Sequence, residues 1–75
     1  MEVLNRAMEL LKDGKWHDVE ELQTKLGLIE FKAKLLVNFL VSYGFCVHVT
    51  GNTVNIKLKP KVLSFLEELE VEGTT

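Results

Sequence analysis

The sequence predicts a small α+β domain with three core helices, a two-stranded β-hairpin and a further helix near the C-terminus. Three observations lead to this fold class. Glycines at positions 14, 27 and 44 each follow a segment with helical spacing of apolar residues. Alternating apolar and polar residues surround Gly51-Asn52, a pair typical of hairpin turns. Pro60 then opens another run of helical spacing. With 75 residues there is room for a single core, so we expect one domain over residues 1–72 and a loose tail at 73–75.

The composition is that of an ordinary globular protein with unevenly distributed charge. Apolar residues make up 47% of the chain and charged residues 27%, which argues against a disordered segment. The net charge is −2, but four of the eleven acidic residues lie in the last nine positions. Nine basic residues therefore stand against seven acidic ones in the rest of the chain. Such a mildly basic body permits contact with phosphates without requiring it.

The sequence predicts a cytoplasmic protein without a membrane segment. A single cysteine, Cys46, cannot form an internal disulfide, which favours a reducing compartment. Met1 leads directly into Glu2, so we expect no targeting segment. The most apolar stretch, Leu35–Val41, is far shorter than the ~20 residues that span a bilayer.

The helices have clear end signals. Residues 2–13 form the first predicted helix, which ends at Gly14. Asp18 is the predicted N-cap of the second helix, and Glu21, three residues later, completes the pattern of a capping box. We expect this second helix to end near Leu26.

The third helix is predicted to begin near Ile29 or Glu30 and to run to Tyr43. The fourth is predicted over Lys61 to about Glu70. Acidic residues at the C-terminal end of the fourth helix oppose the helix dipole, so we expect that end to fray unless it packs on another element.

The hairpin is the clearest pattern in the chain. Pairing of Thr50 with Thr53 across a two-residue turn places every apolar residue of the two strands on one face. The expected facing pairs are Val49 with Val54, Val47 with Ile56 and Phe45 with Leu58. The opposite, polar face is expected to carry Cys46, His48, Thr50, Thr53, Asn55 and Lys57.

The order of these elements, with a short extended piece before the second helix, resembles that of winged helix-turn-helix domains. The resemblance covers Trp16 to Leu58, somewhat more than half of the chain. Val19-Glu20-Glu21-Leu22 followed by Leu26-Gly27-Leu28 looks like the second helix and turn of that superfamily. Leu36 to Leu40 followed by Tyr43-Gly44-Phe45 looks like the end of its recognition helix and the start of its wing. The resemblance therefore implies a winged-helix fold with an extra C-terminal helix.

In DNA-binding members of this superfamily the third helix enters the major groove and the hairpin wing touches the backbone or minor groove. The resemblance thus implies groove-facing positions at residues 30–32, 34, 35 and 38 and a wing tip at residues 50–53. Of these positions, the candidate nucleic-acid contacts are Lys32, Lys34, Asn38, Asn52 and Thr53. The chain departs from the pattern because Ile29 stands where a capping Ser or Thr is usual and because the wing tip carries no Arg or Lys.

A further departure is an apolar row where polar or basic groups are usual. Phe31, Leu35 and Phe39 recur every four residues and point outward if the core side is formed by Ala33, Leu36, Val37 and Leu40. Their cover could be the chain's own last helix, a second copy in a homodimer, or a different protein. The candidate interface residues are Phe31, Leu35, Phe39, Val62, Phe65, Leu66 and Leu69.

We expect neither catalysis nor a cofactor. His17, Cys46 and His48 are too few and too widely spaced for a zinc site, and Cys46 with His48 lacks a third orienting group. Trp16 is expected to pack over the wing or the first helix. The leading hypothesis is a nucleic-acid-binding module, a small DNA-binding transcription regulator. The alternative is a protein–protein interaction module that uses its third and C-terminal helices as a subunit or partner interface.

Overall fold

A computed structural model describes residues 2–73, with side chains as far as Glu70. The elements follow in the order α1 (Glu2–Leu11), β1 (His17–Asp18), α2 (Val19–Leu26), α3 (Glu30–Ser42), β2 (Cys46–Thr50), β3 (Val54–Leu58) and α4 (Pro60–Gly73). This order confirms the predicted α+β architecture. Helix α4 begins one residue earlier and ends three residues later than predicted. Positions 74 and 75, which the predicted tail includes, lie outside the described residues.

The N-cap and the C-terminal end of α2 form as the sequence predicts, but the Glu21 side chain does not return to the Asp18 amide as a capping box requires. The Asp18 side chain accepts a hydrogen bond of 2.7 Å from the Glu21 amide, which satisfies one of the free N–H groups of the first turn. Gly27 ends the helix with φ of 68°, a left-handed conformation in which a side chain would be strained. The Glu21 carboxylate lies 3.0 Å from His17 Nδ1, so it contacts a ring on β1.

The three strands form an antiparallel sheet in the order β1-β3-β2. The predicted hairpin register is wrong by one residue, because Thr50 pairs with Val54 and the turn contains three residues, 51–53. In the observed register Val49 faces Asn55, Val47 faces Lys57, His48 faces Ile56 and Cys46 faces Leu58. A bond of 3.1 Å from the Gly51 amide to the Thr53 carbonyl closes the turn.

The shift in register exchanges the faces of β2. Cys46 is 1% exposed and lies in the core beside Ile56 and Leu58, whereas Val49 is 54% exposed. The assignment of Cys46 to the polar face is therefore wrong. The physical reason is that a thiol behaves as a small apolar group, so the core accepts Cys46 and a solvent-exposed valine at position 49 costs little.

The core lies between the three N-terminal helices and the inner face of the sheet. Its buried members are Ala7, Leu11, Leu22, Leu26, Val37, Leu40, Cys46, Ile56 and Leu58. Because Val37 and Leu40 belong to this cluster, α3 is held by one side and presents the other outward.

Helix α4 packs against α1. Leu63 and Leu66 are partly buried on the core, and the Lys12 ammonium of the α1–β1 connection lies 2.9 Å from the Glu70 carboxylate. Gly14 approaches the same helix so closely that an added Cβ would stand 3.0 Å from Leu63 Cδ2. The C-terminal helix is therefore docked at α1, and the outer side of α3 stays uncovered within the described chain.

None of the helices within residues 2–73 is both long enough and apolar enough to cross a bilayer.

Candidate nucleic-acid interface

Helix α3 turns a continuous apolar row to the outside. Ala33, Val37 and Leu40 are 7% exposed or less and face the core. On the opposite side, Phe31 is 64% exposed, Leu35 49% and Phe39 37%. These three residues, the α3 row, are exposed as the helical spacing predicts.

The N-terminus of α3 lacks a side-chain cap, as the sequence indicates. Ile29 occupies the N-cap position and makes no side-chain cap, while its carbonyl accepts the first helical bond, from Ala33, at 3.0 Å. Ile29 is itself 66% exposed, so it extends the apolar surface beyond the helix.

Lys34 and Asn38 lie on the side of α3 that faces the hairpin. A cavity of about 260 Å³ separates α3 from the hairpin and is lined by Lys34 and Asn38 from the helix and by His48, Thr50 and Val54 from the strands. A neighbouring concavity of about 290 Å³ is lined by Lys34 together with Asn52 and Thr53 of the turn. The structure thus brings together Lys34, Asn38, Asn52 and Thr53, a surface called here the α3–wing face.

Lys32 is the one candidate contact that lies elsewhere. It stands two residues from Lys34, or about 200° of helical rotation, so the two lysines flank the α3 row on opposite sides. Lys34 Nζ also lies 3.0 Å from the Glu30 carboxylate. Both side chains are more than 60% exposed, so the ion pair contributes only about 0–1 kcal/mol to stability. Lys34 can therefore leave Glu30 and bind another anion.

Sequence reasoning missed His48 as a member of this surface and named Thr50 only as part of the wing tip. Both line the cavity beside Asn38, because the observed register places them on the same side of β2 as the core residue Cys46. Their alternation with Val47 and Val49 is visible in the sequence, but the apolar valines favour the opposite face of β2 as the buried one. Glu20 and Glu30 also line the second concavity, where their two carboxylates outnumber the single ammonium of Lys34.

The outer sides of the wing carry further polar contacts. Asn55 Nδ2 donates to Thr53 Oγ1 at 3.2 Å, which orients the hydroxyl near the turn. On the β1 side, Lys57 Nζ lies 4.7 Å from the centre of the Trp16 ring, a cation–π arrangement. Trp16 is 44% exposed, so it packs over the wing through Lys57 and still reaches the surface.

The four candidate interface residues on α4 separate into two pairs. Val62 and Leu66 are partly buried against the core, whereas Phe65 is 58% exposed and Leu69 48%. The exposed pair lies away from the α3–wing face, because α4 is docked at α1.

Among the described residues no group of three or more His, Cys, Asp or Glu side chains is arranged to hold a metal ion. Burial raises the pKa of the Cys46 thiol to about 11, so it stays protonated and unreactive at neutral pH.

Comparison with known proteins yields one informative similarity. No family model matches the chain, and no curated protein sequence matches it. Among solved structures, it is similar to a MarR family transcriptional regulator from Silicibacter pomeroyi DSS-3, with a TM-score of 0.72 and 16% sequence identity. The similarity covers 92% of this chain and 51% of that one, so the chain spans about half the length of the regulator. With the element order and the exposed third helix, this similarity establishes that the chain has the winged helix-turn-helix fold.

Proposed function

We propose that this chain is a non-catalytic DNA-binding module of a transcription regulator and that it contacts DNA through α3 and the wing. The observation that carries the proposal is the α3–wing face, where a lysine and an asparagine of the outward helix stand beside the polar turn of the hairpin. The winged-helix fold and the similarity to a transcriptional regulator support the same function.

The dimensions of α3 suit the major groove. A helix with its side chains is about 10–12 Å across and the groove is about 12 Å wide. Lys32 and Lys34, on opposite flanks of the inserted helix, would each reach a phosphate on one wall of the groove. The α3 row between them would meet the floor, where the thymine methyl is the apolar group available.

Asn38 is the candidate for base recognition. It is exposed and its amide lies on the groove side of α3, where a bidentate contact with adenine needs one donor and one acceptor. Asn52 and Thr53 supply uncharged hydrogen bonds to the sugar–phosphate backbone. With so few cations in the surface, we expect weak binding that is nevertheless sensitive to salt.

The test is a salt-dependent titration of a fluorescent DNA duplex. The variant Lys32→Glu with Lys34→Glu is expected to weaken binding at least tenfold at low salt and to lower the slope of log affinity against log salt by about 2. The matched control is Lys25→Glu with Lys61→Glu, which makes the same charge change on α2 and α4, away from the wing. Equal losses in both double variants, or no loss in the first, would contradict the proposal.

A second candidate function is a protein–protein interaction module. The observation that favours it is the amount of exposed apolar surface, since the α3 row on one side and Phe65 and Leu69 on the other are all more than a third exposed. Association through such surfaces would change little with salt, which separates it from DNA binding in the same titration.

A further inference from the structure

The α3 row has the same sequence in both directions. Leu35 is its centre, and a phenylalanine stands four residues before it and four residues after it. A two-fold axis at Leu35 would therefore bring identical apolar surfaces together, which is the requirement for an isologous contact between two copies of one chain.

Spacing of four residues also sets a packing geometry. Rows of this kind run parallel to each other when two helices cross at about −50°, the commonest arrangement of packed helices. In an antiparallel pair at that angle, Leu35 meets the partner's Leu35 and Phe31 lies beside the partner's Phe39. Each phenylalanine then gains an aromatic neighbour, which favours the pair beyond the area that it buries.

Aromatic neighbours hold the Phe39 end of the α3 row in place. The Phe39 ring is held between Tyr43, at 4.7 Å between ring centres, and Phe45, at 6.2 Å. Phe39 is 37% exposed and Phe31 64%, so the two aromatic rings that would meet across the two-fold axis are accessible. The ordered Phe39 cluster loses little side-chain entropy when Phe31 of a second copy packs on it.

The charges beside the row permit the pairing. Glu30 and Lys34 neutralise each other on one flank. Lys32 lies on the other flank and is exposed, so its ammonium can stay in water while its aliphatic stem covers the edge of the contact. The chain's own α4 does not compete for this site, because it is docked at α1.

We propose that, in the absence of nucleic acid, two copies of this chain pair antiparallel through Phe31, Leu35 and Phe39 and thereby block each other's α3. The regulatory half of this inference rests on the proposed DNA-binding function. Pairing buries the helix that would enter the groove, so the dimer is the inactive state and DNA binding requires it to separate.

Sedimentation equilibrium over a range of protein concentrations tests the pairing. The wild-type chain is expected to dimerise and Leu35→Asp to remain monomeric, with unchanged circular dichroism because Leu35 is half exposed. Phe31→Asp, at a more exposed position, gives a second disruptive variant should Leu35→Asp unfold. The matched control is Phe65→Asp on α4, which should still dimerise. A monomeric wild type, or a dimer that is lost in Phe65→Asp and kept in Leu35→Asp, overturns the proposal.

A cross-linked dimer tests the block. Leu35→Cys places two thiols at the two-fold axis, while the native Cys46 is buried and unreactive. Oxidation should give a disulfide-linked dimer that binds duplex DNA at least tenfold more weakly than the reduced protein, with recovery on reduction. Equal binding by both forms overturns the block. If even the reduced protein and the wild type bind no DNA while the dimer persists, the proposed function has failed and the pairing has not.

Discussion

His17 Nε2 lies 2.9 Å from the Asp13 carboxylate, and the other ring nitrogen lies 3.0 Å from Glu21. The ring is only 6% exposed. A neutral imidazole has a single N–H, whereas the imidazolium has two, and a carboxylate can only accept. The Nδ1 contact is not aligned as a hydrogen bond, so it acts through charge. The arrangement favours a charged His17 that ties the α1–β1 connection to α2.

The charge on His17 should make stability depend on pH. Burial of the ring lowers its pKa, but the two carboxylates outweigh this effect and raise the pKa of His17 above 6.5. Because the folded-state value is the higher one, the stabilisation is complete below pH 6.5 and is lost as pH rises through the raised pKa. His17→Gln should abolish this loss in denaturant unfolding between pH 6 and 9, whereas His48→Gln, at an exposed position, should retain it. A wild-type free energy of unfolding that is flat or rises over this range contradicts the account.

Protonation of Asp13 should lower the stability of the fold at acidic pH. The hydrogen bond with His17 lowers the pKa of this carboxyl below 3.8, and the hydrogen bond from the Lys15 amide adds a smaller effect in the same direction. A lowered folded-state value means that the stabilisation is present above pH 3.8 and is lost as pH falls through the folded pKa. The two effects together predict greatest stability between pH 3.8 and 6.5 for this part of the fold.

Replacement of Gly14 tests the docking of α4 on α1. Gly14 has φ of 76°, and its added Cβ would press on Leu63, whereas Gly27 has φ of 68° and no atom within 4 Å of such a Cβ. Gly27→Ala should cost about 1–2 kcal/mol from backbone strain. Gly14→Ala should lower the free energy of unfolding by the same amount for strain and by about 1–3 kcal/mol more for overpacking against Leu63. Thermal unfolding of the two variants measures the difference, and equal costs would show that α4 is not seated on this loop.

Two substitutions on β2 distinguish the observed register from the one that the alternation suggests. Cys46→Ser places a hydroxyl in the core and should destabilise by about 1–3 kcal/mol. Val49→Ser changes an exposed position and should stay within about 0.5 kcal/mol. With a two-residue turn the two costs would be reversed. Thiol labelling gives an independent check, since Cys46 should react only in denaturant.

Removal of the ion pair between Lys34 and Glu30 should increase the affinity for DNA. Glu30→Gln frees Lys34 for a phosphate and removes a negative charge from the α3–wing face. DNA affinity at low salt should rise by roughly twofold to fivefold, consistent with the strength of an exposed pair. Glu68→Gln makes the same charge change on α4 and is expected to have a smaller effect. An increase that is equal in both variants would reflect net charge alone.

Substitution of Asn38 and substitution of Lys34 should impair DNA binding in different ways. Asn38→Ala is expected to reduce discrimination between DNA sequences by about 1–3 kcal/mol and to leave the salt slope unchanged. Lys34→Ala is expected to weaken binding to all sequences alike and to reduce the slope by about 1. Competition between duplexes of different sequence at two salt concentrations measures both quantities. If either variant shows the other's behaviour, the two roles are assigned incorrectly.

The sequence predicts the helices of this fold because their ends are encoded locally. Asp18 caps α2 and Gly27 ends it through interactions within a few residues, so no knowledge of the rest of the chain is needed. The hairpin register depends on which face is buried, and that is decided by the helices that pack on it. Two alternating patterns were available in β2, and the core selects the one that contains Cys46.

The candidate site was predicted only in part for a similar reason. Helical spacing predicts that Phe31, Leu35 and Phe39 share the outer face of α3. It says nothing of the helix against which α4 packs, because the apolar residues of α4 would fit several partners. Only the contacts of Leu63 with Gly14 and of Glu70 with Lys12 locate α4 at α1 and leave α3 open.

An amide-shift titration of isotopically labelled protein with excess duplex DNA at low salt would locate the contact surface. The proposed function predicts shifts concentrated at Lys32, Lys34, Asn38, Asn52 and Thr53 that fade as salt is added. Shifts that are absent, or that are confined to α1 and α4, would contradict DNA binding by the α3–wing face.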